Sequence, residues 1–436
     1  MSEPLVIANG RLIDPSQKVD GVRHLLIRDG RVERVSETPI TASGTVAGAD
    51  VLDARGKWVL PGFIDLHVHL REPGEEGKET ILTGAQAAVA GGFTSVVAMP
   101  NTKPTNDSPL VTRFVLDRAR EAGLARVYPA GAITKGLAGE ELAELAALQD
   151  AGCVCFTDDG RPVMSAALMR RALQYAQNFD AIVMVHEEDL TLSGHGAMHE
   201  GVRSTRLGIR PIPASAEVAM VARDLVLLEE VGGRLHVAHV SCEASIRLVR
   251  EAKRRGLPVT CEVAPHHVSL TDEAVSGYDT HAKMNPPLRA ERDVLALREA
   301  LADGTVDAIA TDHAPHGLAD KLVEFEKAAN GIVGLETAFG LVLERVRAND
   351  LPLHRAVSLL TEGPAKAMRL PGGSLPVGAA ADLVVVDPEA RWTVDAARFF
   401  SKSRNTPFQG RQMQGRVLHT VVGGKRVFDF QPDGTR

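Results

Sequence analysis

Cysteine and aromatic residues are scarce: the 436-residue chain has 4 Cys and only 4% Phe, Trp and Tyr together. Four thiols cannot form a disulfide framework for a chain this long. No C-x-x-C pair is present to suggest a thiolate zinc site. Cys153 and Cys155 alternate on what reads as one strand, and Cys242 and Cys261 stand alone, so all four are expected to be buried and reduced. There is no excess of positive charge either, since Lys+Arg 49 against Asp+Glu 56 gives a formal net charge of −7. Few rings and no basic footprint argue against nucleic acid as the main partner. No run approaches the ~18 apolar residues of a membrane span. The opening MSEPLVIANG lacks the basic and apolar regions of a signal peptide, so a cytoplasmic protein is expected. G-x-G-x-x-G, Walker and G-x-S-x-G motifs are all missing, which disfavours an open dinucleotide-binding sheet and a serine hydrolase.

What is present is 44% hydrophobic residues, 40 Gly and 15 His. The apolar fraction can supply a large core and excludes wholesale disorder. The two ends look alike. HLLIRDGRVERV places Asp29-Gly30 between apolar-alternating runs, and VLHTVVGGKRVFD does the same with Gly423-Gly424, so each predicts a hairpin. ADLVVVD, from Ala381 to Asp387, reads as a buried strand. Each end has too few strands for its own core, so the two are expected to pair into one small β domain.

The middle alternates strand-like and helix-like runs. Eight strand candidates stand out: WVLPGFIDLHVH, TSVVAMPN, RVYPAGAIT, CVCFTDD, AIVMVHEE, LHVAHVS, VTCEVAPHH and VDAIATDH. Helical patterns such as AEVAMVARDLVLLEEVGG and EASIRLVREAKRRG lie between them, several ending in Gly. This repetition predicts an α/β chain: a (β/α)8 TIM-like barrel over residues 57–370, with a small β-sandwich domain formed from residues 1–56 and 371–436.

Polar residues gather at the ends of those strands, where a barrel assembles its chemistry. His67 and His69 are two apart, so on a strand they share a face. The fourth run ends in Asp158-Asp159, the fifth in His186, the sixth in His239 and the eighth in Asp312. Any one of these could be a core histidine or a helix cap, but together they point to a metal centre. Six protein ligands are too many for one tetrahedral zinc. Two metals sharing a carboxylate fit better, and a pair about 3.5–4 Å apart can hold a water whose pKa falls to near 7. Asp312 is then the natural general acid/base. Arg71, just past the His pair, has a fork suited to a carboxylate, although a surface salt bridge is the plainer alternative. Asn101, Asn285 and His316 lie at the same mouth, where the two asparagines could equally be turn residues beside proline. The stretch from His313 to Gly331 is long and rich in small or charged residues, which suits a mobile lid.

The strings PGFIDLHVHLREPG, AMPNTKP, CFTDDG, HEED, TCEVAPHH, NPPLR, ATDHAPH and SKSRNTPF together resemble the dihydroorotases of bacterial class I type, within the amidohydrolase superfamily. The resemblance spans nearly the whole chain. H-x-H marks only the superfamily, whereas FTDDG with NPPLR and TDHAPH is narrower. It implies zinc-dependent, reversible hydrolysis of (S)-dihydroorotate to N-carbamoyl-L-aspartate in pyrimidine biosynthesis. It further implies two Zn2+ per subunit, with His67 and His69 on one, His186 and His239 on the other, and Asp159 and a hydroxide between them. Asp312 would be the catalytic residue and lie at the metals. His69, Arg71, Asn101, Asn285, His316, Asn330 and Gly331 would contact dihydroorotate. Asn330 departs from relatives that often carry Phe or Pro there. Hydantoinases and allantoinases, many with a carboxylated lysine as the bridge, are the nearest rivals, and a metal-free noncatalytic scaffold is a more distant one. The resemblance also implies a homodimer and admits a complex with aspartate transcarbamoylase.

Overall fold

The structure, a computed structural model, describes residues 3–40 and 48–431. Eight parallel strands run in sequence order around one sheet: Phe63–Val68, Phe93–Ala98, Arg126–Gly131, Cys155–Phe156, Val183–Val185, Leu235–Val237, Val259–Val263 and Ala308–Ile309. They are called here the first to eighth barrel strands. The ring closes just beyond the eighth, where His313 bridges Val68 and its carbonyl accepts the His69 amide at 2.8 Å. Each of the eight strand-like runs of the sequence contributes one strand to this ring.

Local chemistry explains the helices between them. Thr80 caps helix Ile81–Ala90 in a reciprocal box with Thr83, and Ser165 caps helix Ala166–Gln177. Helix Glu243–Arg254 buries Ser245, Ile246, Val249 and Ala252 on one stripe. Alternation along the strands separates two layers. Val183 and Val185 pair with Leu235 and Val237 and join the cluster that holds helix residues Leu173, Leu225 and Val249. Met184 and Ala238 belong instead to the cluster with Val97, Cys155 and Met368. All four cysteines are free and buried.

The run WVLPGFIDLHVH, read above as one strand, is two. Trp58–Pro61 pairs with Leu383–Val386 and with Arg11 and Leu12, while Phe63–Val68 enters the barrel. Pairing partners decide this, not composition. Strands from both ends, including Leu5–Asp14, Val19–Arg28, Leu383–Thr393 and Gln412–Val422, form one eight-stranded hydrogen-bonded sheet. Leu5, Ile7, Leu25, Ile27, Leu383, Val385 and Val421 share its core, whereas Val384 and Val386 join the barrel's helix-side core. The two expected hairpins meet at their turns. A Cβ on Gly30 would lie 2.9 Å from the Gly423 carbonyl oxygen, so this close approach requires glycine.

Candidate metal centre

Asp159 lies at the middle of the barrel mouth. Its Oδ1 is 3.2 Å from His67 Nε2, 3.6 Å from His186 Nδ1 and 3.7 Å from His239 Nε2, and its Oδ2 is 3.5 Å from His69 Nε2. Asp312 Oδ1 is 3.2 Å from His69 Nε2 and 3.7 Å from His67 Nε2. Strand ends one, four, five, six and eight therefore deliver six buried side chains to one point. Two backbones there are strained: His239 has φ 32° and Asp312 φ 48°, both in the left-handed region that non-glycine residues seldom adopt.

The rings are oriented from behind. His67 Nδ1 donates to Glu262 Oε1 at 3.2 Å, His69 Nδ1 to Asn101 Oδ1 at 2.9 Å, and His186 Nε2 to Glu188 Oε2 at 3.4 Å. Each bond places a proton on the outer nitrogen and turns the inner lone pair toward carboxylate oxygens. His67 Nε2, 3.2 Å from Asp159 Oδ1, is buried without a hydrogen-bond partner among the described residues, and His186 Nδ1 lies 3.0 Å from His239 Nε2. Lone pairs facing carboxylates at these distances repel unless a cation lies between them, so the donor set fits a divalent metal. Two overlapping groups, His67–Asp159–His239 and His67–His69–Asp312, hold ligand atoms within 4.8 Å of one another.

Without a cation between them, the same carboxylates favour a proton on these rings. Burial pulls His186 down, yet Asp159 and Glu188 outweigh it and push the ring up to about 10. His67 is likewise raised well above its ordinary value despite burial, by Asp159 and Glu262. Glu262 is held at about 2, because His236 and His67 outweigh its burial. Glu262, Glu188 and Asp65 lie outside the residues that the sequence pattern singles out. Asp65 accepts the Thr311 and His67 amides at 3.0 and 3.1 Å, tying strand one to strand eight. A charged residue inside an apolar strand run, as in TCEV and IDLHV, was the signal available.

The other predicted residues fall into two sets. Asn101 belongs with the ring, since its Nδ2 donates to Asp159 Oδ2 at 3.2 Å, and Asn285 Nδ2 donates to Glu188 Oε2 at 2.8 Å. Arg71, His316, Asn330 and Gly331 form an adjoining arm. Buried Arg71, at φ 61°, donates from Nε to the Pro315 carbonyl at 3.1 Å and places Nη2 3.3 Å from His316 Nε2. That nitrogen is 2.7 Å from the Asn330 carbonyl. Burial, then Arg71 and Lys321, lower His316 to about 3 and keep it neutral. The stretch from His313 to Gly331, expected as a lid, is hydrogen-bonded to the chain around it. Lys321 Nζ donates to the Ala329 and Thr280 carbonyls at 2.6 and 3.1 Å, and the Gly331 amide donates to the Lys283 carbonyl at 3.0 Å.

A family model described as Dihydro-orotase-like matches residues 56–245, and one described as Amidohydrolase family matches residues 274–428. A dihydroorotase of Anaeromyxobacter dehalogenans is 61% identical over 431 residues, which is 98% of this chain and 99% of that one. A dihydroorotase of Syntrophotalea carbinolica is 52% identical over 424 residues, 97% of this chain and 99% of its own. Among solved structures, the L-hydantoinase (dihydropyrimidinase) of Arthrobacter aurescens matches with a TM-score of 0.86 at 27% identity, covering 98% of this chain and 96% of that chain. A Thermus D-hydantoinase matches with a TM-score of 0.81 at 26% identity, over 99% and 96% of the two chains.

Proposed function

The chain belongs to the dihydroorotase family of amidohydrolases, and from that premise we propose that it hydrolyses (S)-dihydroorotate reversibly to N-carbamoyl-L-aspartate in pyrimidine biosynthesis. The near-full-length identity to dihydroorotases carries this reading. The bacterial class I assignment is supported by the fourth strand, which delivers Asp159 and no lysine at the position central to the ring.

His67 and His69 would hold one zinc, His186 and His239 a second, and Asp159 both, with Asp312 at their edge. Such a pair supplies Lewis acidity toward the scissile carbonyl and a nucleophilic water at neutral pH. Asp312 carries the proton. Burial alone would raise its carboxyl, but His69 and His67 outweigh that and hold it far below the ordinary range, so it is present as the carboxylate. Water adds its oxygen to the ring carbonyl carbon, the C–N bond breaks, and the proton taken by Asp312 passes to the departing ring nitrogen. Arg71 and His316 hold the substrate carboxylate, while His69, Asn101, Asn285, Asn330 and Gly331 complete its seat. The net charge of −7 opposes an anionic substrate, so attraction is local, from the metals and Arg71.

Turnover of dihydroorotate beside hydantoin and allantoin tests the reading, and preference for either of the latter overturns it. Less than one zinc per chain after purification without chelators would instead favour a noncatalytic scaffold. Asp312→Asn is expected to keep its metal and lose ~10²–10⁴ in turnover; undiminished turnover removes Asp312 from the chemistry.

The same reading carries a cytoplasmic homodimer and a complex with aspartate transcarbamoylase, both open to sedimentation with and without that enzyme. Among the described residues no helix is long and apolar enough to cross a membrane. It also keeps the division of the chain into a barrel over 57–370 and a β-sandwich domain from 1–56 and 371–436, with Trp58–Pro61 as the crossing strand.

A further inference from the structure

The loop after the eighth strand carries Asp312, His316, Asn330 and Gly331, yet part of what holds it comes from outside the barrel. The segment SKSRNTPF, residues 401–408, has no part in the chemistry above. Two glutamates seat it, buried Glu79 and half-buried Glu336. Glu79 accepts the Ser401 hydroxyl and the Lys402 amide, the latter at 3.0 Å, and lies 3.4 Å from His313 Nε2. Glu336 accepts the Phe400 and Ser401 amides, each at 3.0 Å. The Ser403 hydroxyl donates to the Lys78 carbonyl at 2.7 Å. The segment is thus fixed before it reaches Asn405.

Asn405 is 2% exposed, and its whole carboxamide is turned to the loop. Nδ2 donates to the Ala314 carbonyl at 2.9 Å and to the Gly331 carbonyl at 3.0 Å, while Oδ1 accepts the His316 amide at 3.0 Å. Its own carbonyl accepts the Val333 amide at 2.9 Å. One residue therefore joins both ends of the loop, 314–316 and 331–333. The ends touch there, since a Cβ on Gly331, at φ +120°, would lie 2.5 Å from Ala314 Cβ. From this clamp the contacts run to the arm, through His316 to Asn330 and through the Pro315 carbonyl to Arg71. Two carbonyls and one amide require two donors and one acceptor at a fixed spacing, which a carboxamide supplies and a carboxylate does not.

We propose that Asn405 is a positioning residue for the anion-binding arm, setting His316, Asn330 and Gly331 and, through Pro315, the Arg71 guanidinium. The proposal rests on the reading that Arg71 and His316 meet the substrate carboxylate. Its test is steady-state kinetics with dihydroorotate on Asn405→Asp, Asn405→Ser, Arg71→Met and the Asn405→Asp/Arg71→Met double variant, with metal content measured for each.

Small misplacements of positioning groups cost up to about 10²-fold, so Asn405→Asp is expected to raise KM by about 10–100-fold, with kcat and metal content nearly unchanged. Asn405→Ser, which shortens the side chain and leaves one donor in place of two without adding charge, should move KM the same way by less, and it decides the matter should the Asp variant not fold. Because both residues serve one contact, the double variant should lose little beyond the larger single effect. A lower melting temperature with unchanged KM would make Asn405 merely structural and overturn the proposal, as would effects that multiply in the double variant. Raised KM in Arg71→Met with unchanged KM in both Asn405 variants sinks the clamp alone. The reverse pattern sinks the carboxylate reading of Arg71 and keeps the clamp.

Discussion

The ring around Asp159 and the arm around Arg71 share one mouth but are built from different material. Ring residues sit at strand ends, where neighbouring strands fix each Cα. Buried carboxylates in or just beyond those strands, Glu262 and Glu188, fix the imidazoles. Arm residues sit on irregular chain. They are fixed by main-chain carbonyls and by a carboxamide from a segment 74 to 91 residues away in sequence. The difference separates two tasks. Reactive groups need tolerances of a fraction of an ångström, which a closed sheet provides. Recognition of one substrate among similar cyclic amides can reside in loops that vary without disturbing that sheet.

The strongest way to break this contrast is at its centre. Asp159 is the one carboxylate among the described residues within 3.7 Å of four imidazoles, so Asp159→Asn should lose metal and turnover together while the barrel still folds. Metal per chain after dialysis, turnover and circular dichroism check it. A variant that keeps its metal and most of its turnover would show that Asp159 is not the hub. A smaller effect is expected one layer out. Replacing an outer partner of a metal-ligating histidine typically costs about 10–100-fold in metal affinity or activity. Glu262→Gln should fall in that range, because a carboxamide can still accept from His67 or His236 but carries no charge. Competition with a chelator measures it, and unchanged affinity with only a lowered melting temperature would reduce Glu262 to a packing residue.

The same division governs what could be read without coordinates. His67 and His69 were legible because a strand has a period of two, and Asp159, His186, His239 and Asp312 because parallel strands deliver their ends to one side. Glu262 lies inside a strand and not at its end, so the strand-end pattern carries no site signal there, although a buried carboxylate among Val259, Cys261 and Val263 demands a partner. Trp58–Pro61 could not be separated from Phe63–Val68 by composition, since both are apolar and only their pairing partners differ. Small and charged residues from His313 to Gly331 suggested a lid. The bonds that tie this stretch come from Lys321, Lys283 and Asn405, and long-range pairs of that kind leave no periodic trace.

The weakest expected effect tests the contrast through charge. Ring histidines face carboxylates and call for a cation, whereas His316 in the arm is buried beside Arg71, Lys78 and Lys321, with Asp320 Oδ2 3.8 Å from its Nδ1. Its value of about 3 in the folded chain lies below the ~6.5 of an unfolded histidine. Between those limits the unfolded chain binds the extra proton, so stability contributed by the neutral ring is complete above pH ~6.5 and declines as pH falls toward 3. One proton corresponds to a slope of at most about 1.4 kcal/mol per pH unit. Denaturant unfolding of the metal-loaded wild type and of His316→Asn at pH 7, 6 and 5 should give curves that converge on acidification, with the variant shallower by up to that slope. Parallel curves would mean that His316 takes up its proton without cost in the folded arm, and the arm would then tolerate positive charge as readily as the ring.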